Sequence, residues 1–188
     1  MVVPMPGVAL TTPRPILFGK LPAHGDFVAR NLSPSAQAAW DAWASQELEA
    51  ARAALGEAFE PAHESAPPRR FVLPPGPFGP HWGAGVIAPS VDAAGRRFVI
   101  VLAADRLEAA AAAVCGPALA ADLEDLVYQA FEQHMDADAL IAAAHVVVKH
   151  PASATDADGD AAAPLAGLAD GGGLILEMLR SSLAEAQP

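Results

Sequence analysis

Short apolar runs separated by turn residues predict several strands in the first hundred residues. Ile16-Leu17-Phe18 predicts a short buried strand that ends at Gly19. Arg70-Phe71-Val72-Leu73, which lies between two proline pairs, predicts another strand near a sheet edge. The segment "WGAGVIAPSVDAAGRRFVIVLA" predicts a strand over residues 83–88, a turn, and a strand over residues 97–103. The last of these strands holds five consecutive apolar residues without alternation, so both of its faces are expected to be covered.

A long helix is predicted in the first half of the chain by its capping residues and its spacing. Ser33-Pro34 combines a favoured N-cap with a proline at the first helical position. The helix is expected to run to about Leu55 and to stop at Gly56. Its two tryptophans, Trp40 and Trp43, fall near one face. We interpret them as a packing anchor, with a partner-binding face as the alternative.

Helical periodicity dominates the second half of the chain. Helices are predicted over residues 105–114, 117–134 and 136–144, and a last amphipathic helix over residues 174–185. Three consecutive valines within residues 145–149 predict a final strand. Strands followed by helices, with one strand covered on both faces, predict an α/β fold that has helices on both sides of a sheet.

Composition divides the chain into four parts. Residues 1–14 form an N-terminal extension, and residues 15–150 form the α/β domain. Residues 151–173 are mostly Ala, Asp, Gly, Ser and Pro, which predicts a flexible acidic segment. Residues 174–188 are then a C-terminal helix or tail.

The charge of the chain is uneven, and it limits the class of partner. The formal net charge of the 188 residues is −11. Residues 1–104 carry eight acidic and eight basic side chains, whereas residues 105–188 carry fourteen acidic and three basic ones. No nucleic-acid partner is expected, because binding one requires a basic surface.

Hydropathy and cysteine usage indicate the compartment. No run of 18 apolar residues occurs, so no insertion into a membrane is expected. Prolines interrupt the first residues, which therefore do not resemble a secretory signal. Cys115 is the single cysteine, which excludes an internal disulfide and fits a reducing compartment. We therefore expect a soluble, cytoplasmic protein.

The segment "GKLPAHGDF", residues 19–27, places Lys, His and Asp close together and raises the question of catalysis. A small hydrolase would use His24 as the base, Asp26 to orient it, and Ser90 as the nucleophile. Against this, Ser90 is not in a G-x-S-x-G nucleophile elbow, and nothing in the sequence brings it near His24. The six histidines form no metal-binding pair, and Gly19-Lys20 lacks the other residues of a phosphate-binding loop. No metal and no cofactor are therefore expected.

A structural interpretation of the same segment is favoured over a catalytic one. Its proline and glycines set the backbone of a compact turn, in which Asp26 can accept hydrogen bonds from nearby amides and Phe27 can anchor the turn on the core. Lys20 and His24 are then expected at the surface, available to a partner. A second turn of this kind is predicted in "PSVDAAGRRF", residues 89–98.

Three segments taken in order carry a family resemblance. "FGKLPAHGDFVARNL", "WDAWASQEL" and "WGAGVIAPSVDAAGRRFVIVLA" resemble the N-terminal domain of the TagF family, also called ImpM, over roughly residues 15–135. TagF proteins are accessory proteins of bacterial type VI secretion systems. The resemblance implies a three-layer α/β/α sandwich with a mixed or largely antiparallel sheet. It also implies a non-enzymatic, post-translational regulator, a repressor that binds a scaffold protein carrying a forkhead-associated (FHA) domain.

The residues that carry the motifs are the expected partner surface. They are Gly19, Lys20, Leu21, Pro22, His24, Gly25, Asp26 and Phe27 in the first segment, and Trp82, Pro89, Ser90, Asp92, Gly95 and Arg96 in the last. A separate hypothesis concerns Thr155 in the acidic segment, which is followed three residues later by Asp158. FHA domains bind phosphothreonine, and phosphorylation would add charge and strong acceptors there.

Overall fold

The computed structural model describes residues 12–149, 163–164 and 173–185. Most of the acidic segment 151–173, including Thr155, and residues 1–11 of the N-terminal extension lie outside the described residues. The elements are β1 (Arg14–Gly19), β2 (Val28–Arg30), α1 (Pro34–Leu55), α2 (Phe59–Ser65), β3 (Arg69–Leu73), β4 (Trp82–Val91), β5 (Arg97–Leu107), α3 (Ala109–Glu132), α4 (Ala137–Lys149), β6 (Ala163–Pro164) and α5 (Leu174–Glu185).

A single sheet runs through the centre of the domain in the order β2-β1-β5-β4-β3-β6. Every neighbouring pair is antiparallel except β3 and β6, which are parallel. The hairpin of β4 and β5, the two longest strands, forms the middle of the sheet. The predicted α/β fold with a mixed, largely antiparallel sheet is confirmed.

Helices cover both faces of the sheet. On β5, residues 99, 101 and 103 enter one core with α1, α2 and α5, whereas residues 100, 102 and 104 enter a second core with α3 and α4. An uninterrupted apolar strand is therefore explained by two cores, one on each face. These layers form the α/β/α sandwich that the resemblance implies.

Helix α1 begins and ends where the sequence predicts. The hydroxyl of Ser33 accepts a hydrogen bond from the amide of Ala36 at 3.2 Å, and Gly56 ends the helix with φ 54°. Trp40 and Trp43 are buried in the first core, where the Trp40 ring lies 4.1 Å from that of Phe78 between centroids. The interpretation of the two tryptophans as a packing anchor is confirmed.

The prediction of two helices over residues 105–114 and 117–134 is wrong. β5 continues to Leu107 because its end pairs with the start of β4, and one helix, α3, then runs through Pro117. Gly116 lets α3 approach the sheet closely, since a Cβ there would lie 3.1 Å from a Val72 methyl carbon. Packing against the sheet thus overrides the break that Gly-Pro predicts.

The strand predicted over residues 145–149 is also wrong, because α4 continues through the valines to Lys149. Ala137, Leu140, Ala144 and Val148 share one buried face at helical spacing, while Val146 is 64% exposed. The intrinsic preference of valine for strands is weak compared with burial of that face. Three short elements of the described residues, β2, α2 and β6, are not predicted by the sequence.

The helix predicted over residues 174–185 is confirmed as α5, which packs against α1 and α2. Ile175, Met178 and Leu179 are fully buried in the first core. α5 is therefore part of the sandwich. In the part of the chain that the structure describes, none of the helices is long and apolar enough to cross a membrane.

Candidate functional site

The two motif turns meet at one end of the sheet. The first turn, residues 20–27, follows β1, and the second, residues 92–96, joins β4 to β5. Gly19 sets the start of the first turn with φ 125°, and a Cβ there would collide with the carbonyl oxygen of Val99. Only glycine therefore fits at the point where the chain leaves β1. We call these two segments the paired turns.

A buried ion pair joins the paired turns. The Nζ of Lys20 donates to Oδ2 of Asp92 at 2.9 Å, and the two residues are 7% and 2% exposed. Arg96 donates to the same oxygen from Nε at 2.7 Å, and the amides of Ala94 and Arg96 donate to Oδ1 at 3.0 Å. Burial raises the pKa of the Asp92 carboxyl, but the hydrogen bonds from Lys20 and Arg96 outweigh it and hold that pKa well below its usual range.

The expectation that Lys20 is a surface residue is wrong. Its Nζ is one of the donors to the buried carboxylate of Asp92, which lies 72 residues later in the chain. The sequence does not predict this pair, because the residues of one turn do not show which oppositely charged residue of the other turn they will contact. The available signal was that Lys20 and Asp92, which have opposite charges, both lie in glycine-containing turns that the sequence predicts.

Further hydrogen bonds hold the paired turns in one arrangement. All of them use backbone groups, so they fix the course of the chain as well as its side chains. The bonds run from Ser90 Oγ to the Lys20 carbonyl at 2.7 Å, from the Ala93 amide to the His24 carbonyl at 2.8 Å, and from Arg96 Nη2 to the Gly25 carbonyl at 2.7 Å.

The outer surface of the paired turns combines an aromatic ring with charges of both signs. Phe27 is 44% exposed, and its ring packs edge-on against Phe98 at 4.7 Å between centroids and 5.1 Å from the Nζ of Lys20. Asp26 is exposed, and its Oδ1 accepts the Phe27 amide at 2.8 Å, within its own turn as predicted. The Arg96 side chain is 61% exposed. We call Asp26, Phe27 and Arg96 the turn surface.

The three residues of the hydrolase alternative each bond to backbone. The Nε2 of His24 accepts the amide of Ala137 at 2.9 Å, at the start of α4. The hydroxyl of Ser90, which is buried, donates to the carbonyl of Lys20. Among the hydrogen bonds of the described residues, none joins His24, Asp26 and Ser90 to one another. His24 instead ties the first turn to the helical layer.

The remaining motif residues lie in different parts of the structure. Leu21 is fully buried in the second core, Pro22 and Pro89 are half-buried, and Gly95 adopts φ 76° in the second turn. Trp82 lies at the opposite end of β4 from Ser90, opposite Leu107. Eight residue steps along a strand are about 26 Å. The placement of Trp82 in one surface with Lys20 and His24 is therefore wrong.

No site for a metal ion is formed in the parts of the chain that the structure describes, where no three His, Cys, Asp or Glu residues converge. One buried histidine, His63, bonds through Nε2 to the carbonyl of Phe98 at 2.7 Å. Burial lowers its pKa below the usual value for histidine, so its ring is neutral at pH 7. Because a carbonyl only accepts, Nε2 carries the proton and donates it.

Comparison with known proteins places the fold and the motifs in one family. Residues 17–147 match the model of the TagF N-terminal domain, described as type VI secretion system-associated. PA0076 from Pseudomonas aeruginosa PAO1, a solved crystal structure, is similar with a TM-score of 0.62 and 25% identity, over 89% of this chain and 78% of that one. The comparison with curated proteins found no match. Because the family model covers more than half of its length, the chain belongs to the TagF N-terminal domain family, which is associated with type VI secretion.

Proposed function

We propose that this protein is a post-translational repressor of a bacterial type VI secretion system, which acts by binding an FHA-domain scaffold protein and catalyses no reaction. Membership of a family associated with type VI secretion supports the system. The turn surface supports the mode of action, because it offers an exposed aromatic ring on a rigid base. The proposal includes a cytoplasmic location, with neither nucleic acid nor membrane insertion involved.

The observation that carries a binding role is that the paired turns combine buried charges, which hold the two turns together, with an exposed aromatic ring. Lys20 and Asp92 are buried and paired with each other, whereas Phe27 is an exposed apolar group next to Asp26, and Arg96 is also exposed. Aromatic residues and arginine are the side chains that most often dominate the binding energy of protein interfaces. A rigid backbone also lowers the entropy that is lost on binding.

Repression follows from binding by mass action. A scaffold molecule held by this protein is not free to promote assembly of the secretion machinery, so the free concentration of scaffold falls as the complex forms. The hydrogen bonds of His24 and Ser90 with backbone groups support the absence of catalysis in this proposal. A nucleophile whose proton is donated to a carbonyl has no base beside it to remove that proton.

The test is a calorimetric titration of the purified protein with the FHA scaffold encoded in the same genome. Phe27→Ala is expected to weaken binding about tenfold or more, as removal of a dominant interface residue does. Tyr128→Ala is the matched control, because Tyr128 is also 44% exposed but lies on α3 and is not part of the paired turns. Absence of binding by the wild-type protein, or equal affinity of the wild type and Phe27→Ala, would overturn the proposal.

A further inference from the structure

A groove of about 350 Å³ lies between the first turn and the start of α1. Its lining consists of two aromatic rings and four residues of the helix: Phe18, Phe27, Pro34, Gln37, Ala38 and Asp41. Because Phe27 belongs to the turn surface, the groove is continuous with the surface at which we place the partner. The volume is many times the roughly 30 Å³ of one liquid water, so the groove has room for a side chain. We call it the helix groove.

One face of α1 forms a wall of the helix groove. Pro34, Gln37, Ala38 and Asp41 are spaced by three or four residues along α1, apart from the adjacent pair in the middle, and residues at this spacing share a helix face. All four are exposed. At a rise of 1.5 Å per residue the wall is about 10 Å long. It can therefore accompany one long side chain along its whole length.

The two phenylalanine rings form an apolar base. They stack with 6.2 Å between centroids and an interplanar angle of 24°. Phe18 is buried in the first core, whereas Phe27 is partly open to solvent and is held edge-on by Phe98. The base is thus both accessible and fixed, so the methylene groups of a partner can pack on it with little loss of entropy in this protein.

The polar edge of the helix groove carries an uncompensated negative charge. The carboxylate of Asp41 forms no hydrogen bond or ion pair with any other residue that the structure describes, and the same holds for the side-chain amide of Gln37. The other two carboxylates near Phe27 are engaged, because Asp92 pairs with Lys20 and Asp26 accepts the Phe27 amide. The groove therefore offers free acceptors beside an apolar base.

This combination fits arginine better than any other side chain. An arginine has an apolar stem of methylene groups and a charged head, so it can cover an apolar surface and still form an ion pair. Its guanidinium has five donors in a planar fork, which can reach a carboxylate and a second acceptor together, whereas the ammonium of lysine is a point charge. Gln37 and Asp41 are four residues apart and thus present two such acceptors side by side.

We infer that the helix groove receives an arginine side chain of the FHA scaffold protein, an inference that rests on the proposed function. The methylene stem packs on Phe27 and Pro34, and the guanidinium pairs with the carboxylate of Asp41 and the side-chain carbonyl of Gln37. Phe27 then contributes the apolar part of the contact and Asp41 the charged part. Arginine is among the residues that are enriched in protein interfaces, which agrees with this assignment.

The first experiment is a calorimetric titration of the Asp41→Asn variant with the FHA scaffold. The variant keeps the shape of the side chain and removes its charge, so the affinity is expected to fall at least fivefold and to depend less on salt than that of the wild type. The melting temperature should be unchanged, because Asp41 has no partner in the part of the chain that the structure describes. Wild-type affinity in Asp41→Asn would overturn the inference.

Glu49→Gln is the matched control for the charge of the helix. Glu49 is also an exposed carboxylate of α1, but it does not line the helix groove. The variant loses the same single charge, and we expect it to bind the scaffold with wild-type affinity. An equal loss of affinity in the two variants would show a general effect of acidic charge and would overturn the assignment to the groove.

A small probe tests the groove without the scaffold. N-acetylarginine methylamide at millimolar concentration is expected to shift the amide resonances of Phe27 and of residues 34–41 in the full chain. N-acetylcitrulline methylamide has nearly the same shape without the charge, and it should bind at least fivefold more weakly. Equal effects of the two probes, or shifts confined to other residues, would contradict recognition of a guanidinium in the helix groove.

The two experiments separate this inference from the proposed function. Binding of the arginine probe by a protein that does not bind the scaffold would overturn the proposed function and the identity of the partner, but not the preference of the groove. Binding of the scaffold that is weakened by Phe27→Ala but not by Asp41→Asn would keep the proposed function and overturn the inference. Gel filtration tests a third outcome, since a wild-type dimer that Asp41→Asn dissociates would identify a second copy of this chain as the occupant and also overturn it.

The arginine of the scaffold is identified with a double-mutant cycle. Each exposed arginine of the scaffold is replaced by lysine in turn, and each variant is titrated with the wild-type protein and with Asp41→Asn. One replacement is expected to lower the affinity for the wild type at least fivefold and to have little further effect on Asp41→Asn, because the two residues share one interaction. Additive effects for every arginine would contradict a direct contact with Asp41.

Discussion

Some charged side chains of the motif turns have a structural role, because they are buried and paired with each other. Lys20 lies in the segment whose Lys, His and Asp raise the question of catalysis, yet it is buried and pairs with Asp92, 72 residues later in the chain. A sequence pattern shows which residue types are close along the chain, but an ion pair of this kind depends on which ends of two strands meet. The prediction for Asp26 succeeded because its partner, the Phe27 amide, is the next residue.

Removal of Lys20 is expected to be much more damaging than removal of an exposed ion-pair partner. Lys20→Met leaves the buried carboxylate of Asp92 with one cation fewer, and loss of one member of a buried pair is strongly destabilising. We expect the melting temperature to fall by roughly 10 °C. The measurement is thermal unfolding followed by circular dichroism at pH 7.

The matched control for this prediction is Arg30→Met. Arg30 donates to Asp138 at 2.6 Å, but the Asp138 side chain is 79% exposed. Exposed pairs contribute little, so the expected fall is no more than about 3 °C. Similar falls in the two variants would show that the Lys20 pair is no more important to the fold than a surface contact.

At the scale of elements, the structure shows how a helix distant in sequence is held to the domain. Glu47 is a buried carboxylate on α1, and its two oxygens accept the amides of Gly173 and Ile175 at 3.1 Å each. Those amides lie at the start of α5, where a negative charge is favourable to the helix dipole. The periodicity of residues 174–185 predicted α5, but its cap comes from another helix and leaves no local signal.

Replacement of Glu47 is expected to loosen α5. Glu47→Ala removes two charge-assisted hydrogen bonds, and we expect the free energy of unfolding to fall by about 3 kcal/mol. Limited proteolysis should then cleave the chain near α5 faster than in the wild type. Glu49→Ala is the control, because Glu49 is exposed on the same helix and surface substitutions change stability by about 0.5 kcal/mol or less. Unchanged proteolysis in Glu47→Ala would contradict this account.

For the whole molecule, the sequence contains enough to predict the sandwich, but not where every helix and strand begins and ends. An apolar strand without alternation requires cover on both faces, and that single feature predicts the layers correctly. The errors at Pro117 and at the valines of α4 have a common cause: local preference was outweighed by burial against the sheet or α3. The β-bulge opposite Gly83 and the positive φ of Arg106 could not be predicted, because both arise from pairing between strands that are separate in the sequence.

The family match ends at residue 147, but the folded unit does not, and this difference leads to a prediction for the whole chain. Ile175, Met178 and Leu179 of α5 are fully buried against α1 and α2. Full burial of such a side chain contributes about 1.5–3 kcal/mol, so the three together are comparable with the roughly 5–15 kcal/mol that stabilises a typical domain. A chain that ends after Lys149 is therefore expected to be largely unfolded or aggregated at 25 °C.

Amide NMR and gel filtration of the truncated chain measure this directly, and a full-length Ile175→Ser/Met178→Ser variant serves as the control for chain length. Both proteins should lose the dispersed spectrum of the wild type, because both expose the same face of α1 and the sheet. A synthetic peptide of residues 170–188 should restore part of that spectrum in the truncated chain, since the peptide supplies the missing apolar face. A truncated chain with the wild-type spectrum and melting temperature would show instead that residues 17–147 fold alone, with α5 as an accessory.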